Sequence, residues 1–263
     1  MTALQDILGA LPLMPATAVV AWGIATLRRN VGLVDIFWSL FILLAAFWYF
    51  RAQPQHTTRS VMIMALTTMW ALRLAGYLAL RNWSAPEDHR YRAIRDRNQP
   101  GFVWKSLYLV FGLQAILALV VATPLYGGIV AVKPLHPLDV LGAVMVLAGT
   151  VTESIADAQL ATFRADAANR GRVMDQGLWR YSRHPNYFGE FCVWWGFFLI
   201  ALATGAWWTV ISPLLMSALL LRVSGVTLLE RDMGQRRAGY AGYVARTNAF
   251  FPGPPRPGSG QST

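Results

Sequence analysis

The sequence is poor in charge. Asp, Glu, Lys and Arg make up 14% of its 263 residues, where soluble domains carry about 25%. With 55% hydrophobic and 13% aromatic residues and a mean hydropathy of +0.39, that shortage excludes an ordinary soluble globule. Cysteine is nearly absent. The single thiol, Cys192, cannot close an intrachain disulfide, and without CxxC or Cys/His spacing no metal site is expected. Neither GxGxxG nor a Walker loop occurs, so a nucleotide would have to bind in another way. No basic stretch precedes the first apolar run, and a cleaved signal peptide is not expected. Acids are scarcer than bases, 13 against 23, giving a net charge of +10. In a soluble protein that excess would point to nucleic acid. Here the cations fall between hydrophobic runs, where membrane topology and anionic headgroups account for them, and no nucleic-acid partner is expected.

What the chain has is apolar runs long enough to cross a bilayer, which takes about 20 helical residues. Seven are expected, over 8–27, 33–50, 60–81, 103–126, 137–163, 187–204 and 206–229. The expected fold is all-α: a polytopic membrane protein with about seven transmembrane helices, a single seven-helix domain over 1–252 and a disordered Pro/Gly/Ser tail over 253–263. Seven crossings put 19 of the 23 lysines and arginines on one side and three on the other, Arg73 lying within a span. The positive-inside rule then makes the N-terminus extracytosolic and the C-terminus cytosolic.

Ionisable groups inside spans are costly and usually functional. Asp35, Arg73, Glu153, Asp157, Glu190 and Arg222 all fall in the half of their spans nearer the cation-rich side, whereas Asp139 sits at the opposite interface. This placement predicts a polar cavity open to the cytosol. Glu153 and Asp157, at i and i+4, share one helix face. Interhelical ion pairs that only fix packing are the plain alternative. The C-terminal segment 230–252 is amphipathic and aromatic, suited to lie along the interface or to cover the cavity.

One stretch is the most informative: Gly177-Leu-Trp-Arg-Tyr-Ser-Arg-His-Pro-Asn-Tyr-Phe-Gly-Glu190. It crowds arginines, a histidine and an asparagine at the mouth of an apolar run and carries Glu190 into it. Arginine forks suit phosphate, and the helix expected to start near Asn186 would add free N–H groups.

This stretch, together with Arg222 and Tyr243-Val-Ala-Arg-Thr-Asn-Ala-Phe-Phe-Pro252, resembles the steroid 5α-reductase superfamily, most closely its bacterial members. Weaker similarity covers 31–105, and the reductase-like part is about 103–252. The resemblance implies a seven-helix membrane enzyme that uses NADPH to reduce an activated C=C bond in a lipophilic, enone-like substrate, in a bacterial inner membrane with its site open to the cytosol. It assigns Asn186, Tyr187 and Glu190 to the nicotinamide end. Glu153 and Asp157 follow as the polar pair of helix 5, Arg164 and Arg172 as phosphate-facing arginines, and Arg222 as a further cofactor contact. Tyr181, Arg183 and His184 belong to the same cofactor loop. At the substrate end it points to Asp35, Trp70 and Arg73, with Asp35 where animal steroid reductases have a helix-2 glutamate and Trp70 where they have a helix-3 tyrosine. Arg183-His184-Pro185 also occurs in the isoprenylcysteine carboxyl methyltransferases, so an S-adenosylmethionine-dependent methyltransferase is the alternative. A non-catalytic membrane protein that binds lipid or a partner is the third reading.

Overall fold

The structure, a computed structural model, describes residues 9–223 and 239–256. The described chain is helical throughout, and no strand occurs among the described residues. In chain order the elements are α1 (Leu13–Leu27), α2 (Val34–Arg51), α3 (Thr58–Asn82), the short α4 (His89–Arg97), α5 (Phe102–Ile129), α6 (Pro137–Ala165), α7 (Pro185–Ala203), α8 (Trp207–Arg222) and α9 (Tyr240–Arg246). Five helical stretches are long and apolar enough to cross a membrane: Val31–Arg51, which is α2 with the turn before it, and α3, α5, α6 and α7. They mark an integral membrane protein. The first and last expected spans correspond to the shorter apolar helices α1 and α8. The end of the last expected span, the start of the 230–252 segment with Glu230, and the tail beyond 256 lie outside the described residues.

Local chemistry explains several boundaries. The Thr57 side chain accepts from the Ser60 N–H and caps α3, and Asp88 caps α4 by accepting from the Arg90 N–H, each satisfying a donor that the first turn leaves free. Proline opens α6 and α7, where its missing N–H costs nothing. Within α5, Leu107–Gly112 widens into a π-helical turn, a distortion that recurs at functional sites.

The chain divides into two compact units, Met1–Val140 with Phe198–Ser212, and Leu141–Phe197 with Pro213–Thr263. In the first, α2 packs along α3 and against α5. Here Arg59 and Asp139, both fully buried, form a two-point ion pair, Nε–Oδ1 at 2.7 Å and Nη2–Oδ2 at 2.8 Å. The remaining guanidinium N–H groups donate to the Lys133 and Pro134 carbonyls. Asp139, at the head of α6 where the expected span begins, is buried with its charge answered by Arg59. In the second unit α6 and α7 meet through glycines one heptad apart. A Cβ on Gly149 would come within 2.5 Å of the Gly189 carbonyl, and one on Gly196 within 2.7 Å of the Gly142 carbonyl. Away from that seam, Val144, Leu147, Val151 and Ile155 form an exposed apolar stripe along α6, the face that lipid would cover.

Candidate functional site

In the second unit the buried acids sit on the facing sides of α6 and α7. Glu153 and Asp157, one turn apart on α6, are both buried, as is Glu190 on α7. Asn186 Nδ2 donates to Asp157 Oδ1 at 3.2 Å, which ties the first turn of α7 to α6. Gly189 makes room for this approach, since a Cβ there would meet the Glu153 side chain at 2.6 Å. Glu190 Oε1 accepts from Trp194 Nε1 at 2.9 Å, and the His184 and Tyr187 rings stack with centroids 5.6 Å apart. The structure thus brings together Glu153, Asp157 and Asn186 from positions up to 33 residues apart in the sequence, with Glu190 buried one turn on from Asn186.

The stretch before α7 is held from two sides. Trp179 Nε1 donates to the Ala156 carbonyl and the Leu178 N–H to Gln159 Oε1, docking it on α6. On its other side lies the C-terminal segment. Buried Arg183 donates from Nη1 to the Thr247 and Val244 carbonyls. Its N–H donates to the Asn248 carbonyl, and Ser182 Oγ donates to the Phe250 carbonyl. Tyr243 donates its hydroxyl to the Trp179 carbonyl at 2.6 Å, and burial pushes that phenol above its usual pKa. Arg246 pairs with Asp175 at 2.5 Å, and the Gly253 N–H reaches the Tyr181 carbonyl. Arg183, expected in the cofactor loop, is thus the tether between that loop and the C-terminal segment. Tyr181, Arg164, Arg172 and Arg222 are exposed, the first three around the same loop and Arg222 at the end of α8.

The residues expected at the substrate end lie in the first unit. Trp70 is fully buried in α3 and Arg73 is half-buried one turn on. Asp35, in the first turn of α2, accepts a hydrogen bond at Oδ1 from the Tyr91 hydroxyl at 2.5 Å. Gln114 Nε2 donates to the same hydroxyl at 3.3 Å, and Arg90 lies 3.9 Å from Asp35 Oδ2. Burial first, then the charge and hydrogen bond of Asp35, hold the Tyr91 phenol well above its ordinary pKa. Tyr91 is therefore a protonated donor at neutral pH. Burial works against the Arg90 charge, but the Asp88 hydrogen bond and the fields of Asp35 and Asp88 raise its pKa above the usual guanidinium value.

Sequence reasoning missed Tyr91 and Gln114. After the Asp88 cap, Tyr91 and Ile94 recur on one face of an otherwise charged segment, local signs that 89–97 is a helix with an inward side. Gln114 follows the π-helical turn, which no residue pattern announces.

Comparison with known proteins adds a family. That described as "Protein of unknown function (DUF1295)" matches residues 21–247. The chain is also similar to "Uncharacterized protein C594.04c" of Schizosaccharomyces pombe, 25% identical over 264 residues that cover 89% of this chain and 76% of that protein. No solved structure matches significantly.

Proposed function

The chain belongs to the DUF1295 family, and from this premise we propose that it is a membrane-embedded NAD(P)H-dependent reductase of a C=C bond in a lipophilic, enone-like substrate. The observation that carries the reading is the Asp157–Asn186 hydrogen bond. The resemblance to the steroid 5α-reductase superfamily assigns both residues to one cofactor, and the fold joins them.

The side chains of the second unit fit such a ligand in kind. Carboxylates of Glu153, Asp157 and Glu190 accept from ribose hydroxyls and a carboxamide N–H₂, and the exposed arginines Arg164 and Arg172 suit a pyrophosphate. When bound, the reduced nicotinamide supplies a hydride for the β-carbon of the enone. The buried acids favour the positive charge left behind as that hydride departs. The electron pair of the C=C bond runs to the carbonyl oxygen, and Asp35 is the group assigned to stabilise it there. To donate there Asp35 must first take up a proton at Oδ2, which removes its charge beside Tyr91 and Arg90 while Oδ1 still accepts from the Tyr91 hydroxyl. The α-carbon then takes a proton from solvent water to complete the reduction, and the Asp35 proton returns from the oxygen.

The same buried acids would also suit a sulfonium, which keeps the S-adenosylmethionine-dependent methyltransferase as the second reading. Thermal unfolding of purified protein with NADPH, NADH and S-adenosylmethionine separates them. A ligand at 100 times its Kd stabilises by about 2.7 kcal/mol. NADPH or NADH is expected to raise Tm, and Asp157→Asn with Asn186→Ala to erase the shift. A response to S-adenosylmethionine alone would replace the reductase with the methyltransferase. Silence to all three would leave a lipid- or partner-binding protein.

A further inference from the structure

The first unit holds a second polar feature with no part in the proposed reaction. A cleft of about 390 Å³ opens where α1 and α3 end, lined among others by Arg28, Arg29, Asn30, Trp83, Ser84 and Glu87. Arg28 is fixed in place, its Nη2 donating to the Trp83 carbonyl at 2.9 Å and its guanidinium lying 4.9 Å from the Trp83 ring centroid. Arg29 adopts φ +52°, the one non-glycine residue with positive φ among the described residues. Left-handed backbone in a side chain this long is disfavoured and persists where the surroundings hold it. Here it closes α1 as a left-handed C-cap, the Arg29 N–H donating to the Thr26 carbonyl and the Asn30 N–H to the Ala25 carbonyl, and the buried Asn30 side chain adds bonds from Nδ2 to the Ala85 carbonyl and at Oδ1 from the Gly32 N–H.

The cleft is electrostatically one-sided. The Glu87 carboxylate accepts from the Val31 N–H at 2.8 Å and pairs with Arg95 at 2.7 Å, so its charge is already answered. Arg28 and Arg29 are not balanced by any acid, and the exposed Arg29 side chain and Ser84 hydroxyl have no partner among the described residues. Apolar surface is exposed here: Leu27, which lines the cleft, is 85% exposed, Leu80, one turn before Trp83 on α3, is 90% exposed, and Trp83 itself is half-exposed. Two cations, one of them held in place, a free hydroxyl and a tryptophan beside an exposed leucine fit a ligand that is anionic at one end and aliphatic at the other.

We propose that this cleft binds the phosphate headgroup of an anionic phospholipid, with the acyl chains along Leu27 and Leu80. The site is independent of the reductase reading and survives its failure.

The test uses the full-length protein in neutral detergent, comparing the thermal shift given by phosphatidylglycerol, phosphatidylcholine and inorganic phosphate. Phosphatidylglycerol alone is expected to raise Tm saturably. Arg29→Gly removes the charge and relieves the left-handed backbone, so it keeps the fold while weakening the lipid's apparent affinity by about fivefold, the effect of one basic side chain near an anionic headgroup. Arg97→Ala, an exposed arginine outside the cleft, should change nothing. Equal shifts from phosphatidylcholine would overturn the proposal, as would an unchanged affinity in Arg29→Gly. A shift with inorganic phosphate as large as that with phosphatidylglycerol would make this a free-phosphate site and overturn the lipid assignment.

Discussion

At the scale of single residues, Asp35 and Tyr91 carry the proposed chemistry of the substrate end. Asp35→Ala should abolish enone-dependent NADPH oxidation while NADPH still raises Tm. Full turnover in that variant would remove Asp35 from the mechanism. Tyr91→Phe keeps the ring and deletes the 2.5 Å hydrogen bond. A bond of this kind is worth about 1–1.5 kcal/mol, so kcat should fall roughly tenfold with little change in cofactor binding. Tyr243 gives a pH signature. Its folded pKa lies above the ordinary value of 10.0 because burial disfavours the phenolate. The unfolded chain therefore loses this proton first. The contribution is complete below pH 10 and declines as the pH climbs toward the folded value. Tyr243→Phe should cost about 1 kcal/mol at neutral pH and flatten the alkaline fall in Tm, and an unaltered alkaline limb would show that Tyr243 does not set it. Arg59→Ala strands a buried carboxylate and should cost about 3–5 kcal/mol. Asp139→Ala placed on top of it should recover part of that loss, because the stranded charge is gone.

At the scale of elements, the α6–α7 seam rests on backbone approach rather than side-chain bulk. Small residues are what allow such contact between membrane helices. Gly149→Leu forces an isobutyl group toward the Gly189 carbonyl, which a Cβ alone would already approach to 2.5 Å. Overpacking of this kind costs about 1–3 kcal/mol. Because Asn186 lies on the same turn of α7 as Gly189, the variant should also weaken NADPH binding. A Tm and an affinity both equal to wild type would contradict the seam. These elements were largely legible in the residues themselves. The run expected over 137–163 is Pro137–Ala165, and that over 60–81 is Thr58–Asn82, since an apolar run of bilayer length with proline or threonine at its head allows little else. The 82–101 loop was less legible. Within it His89–Arg97 is a helix that delivers Tyr91 to Asp35 across 56 positions. Pairings over such a separation leave no local trace in one sequence. The Asp157–Asn186 bond was half-visible, because the resemblance named both partners although nothing in their spacing did.

At the scale of the whole molecule, five helices meet the length and hydropathy of a membrane crossing and α1 and α8 fall short. The proposed topology counts those two as crossings as well; without the α8 crossing the cations from Arg222 onward would change sides and the nineteen-to-three division would be lost. Reporters fused at each end of the full chain should then report opposite sides, the C-terminal one cytosolic. Two reporters on the same side would make the number of crossings even and overturn the seven-helix count.

The Arg59–Asp139 clasp also sets an order of events during synthesis. Its partners are 80 residues apart. At about 5–20 residues per second, roughly 4–16 s pass between the emergence of the arginine and that of its acid. During that interval α3 through α5 leave the ribosome with a cation still awaiting its counter-charge. The nascent chain is therefore committed to its helical hairpins before the lock that fastens them exists, and a ribosome stalled between the two residues would present the quality-control machinery with an open bundle.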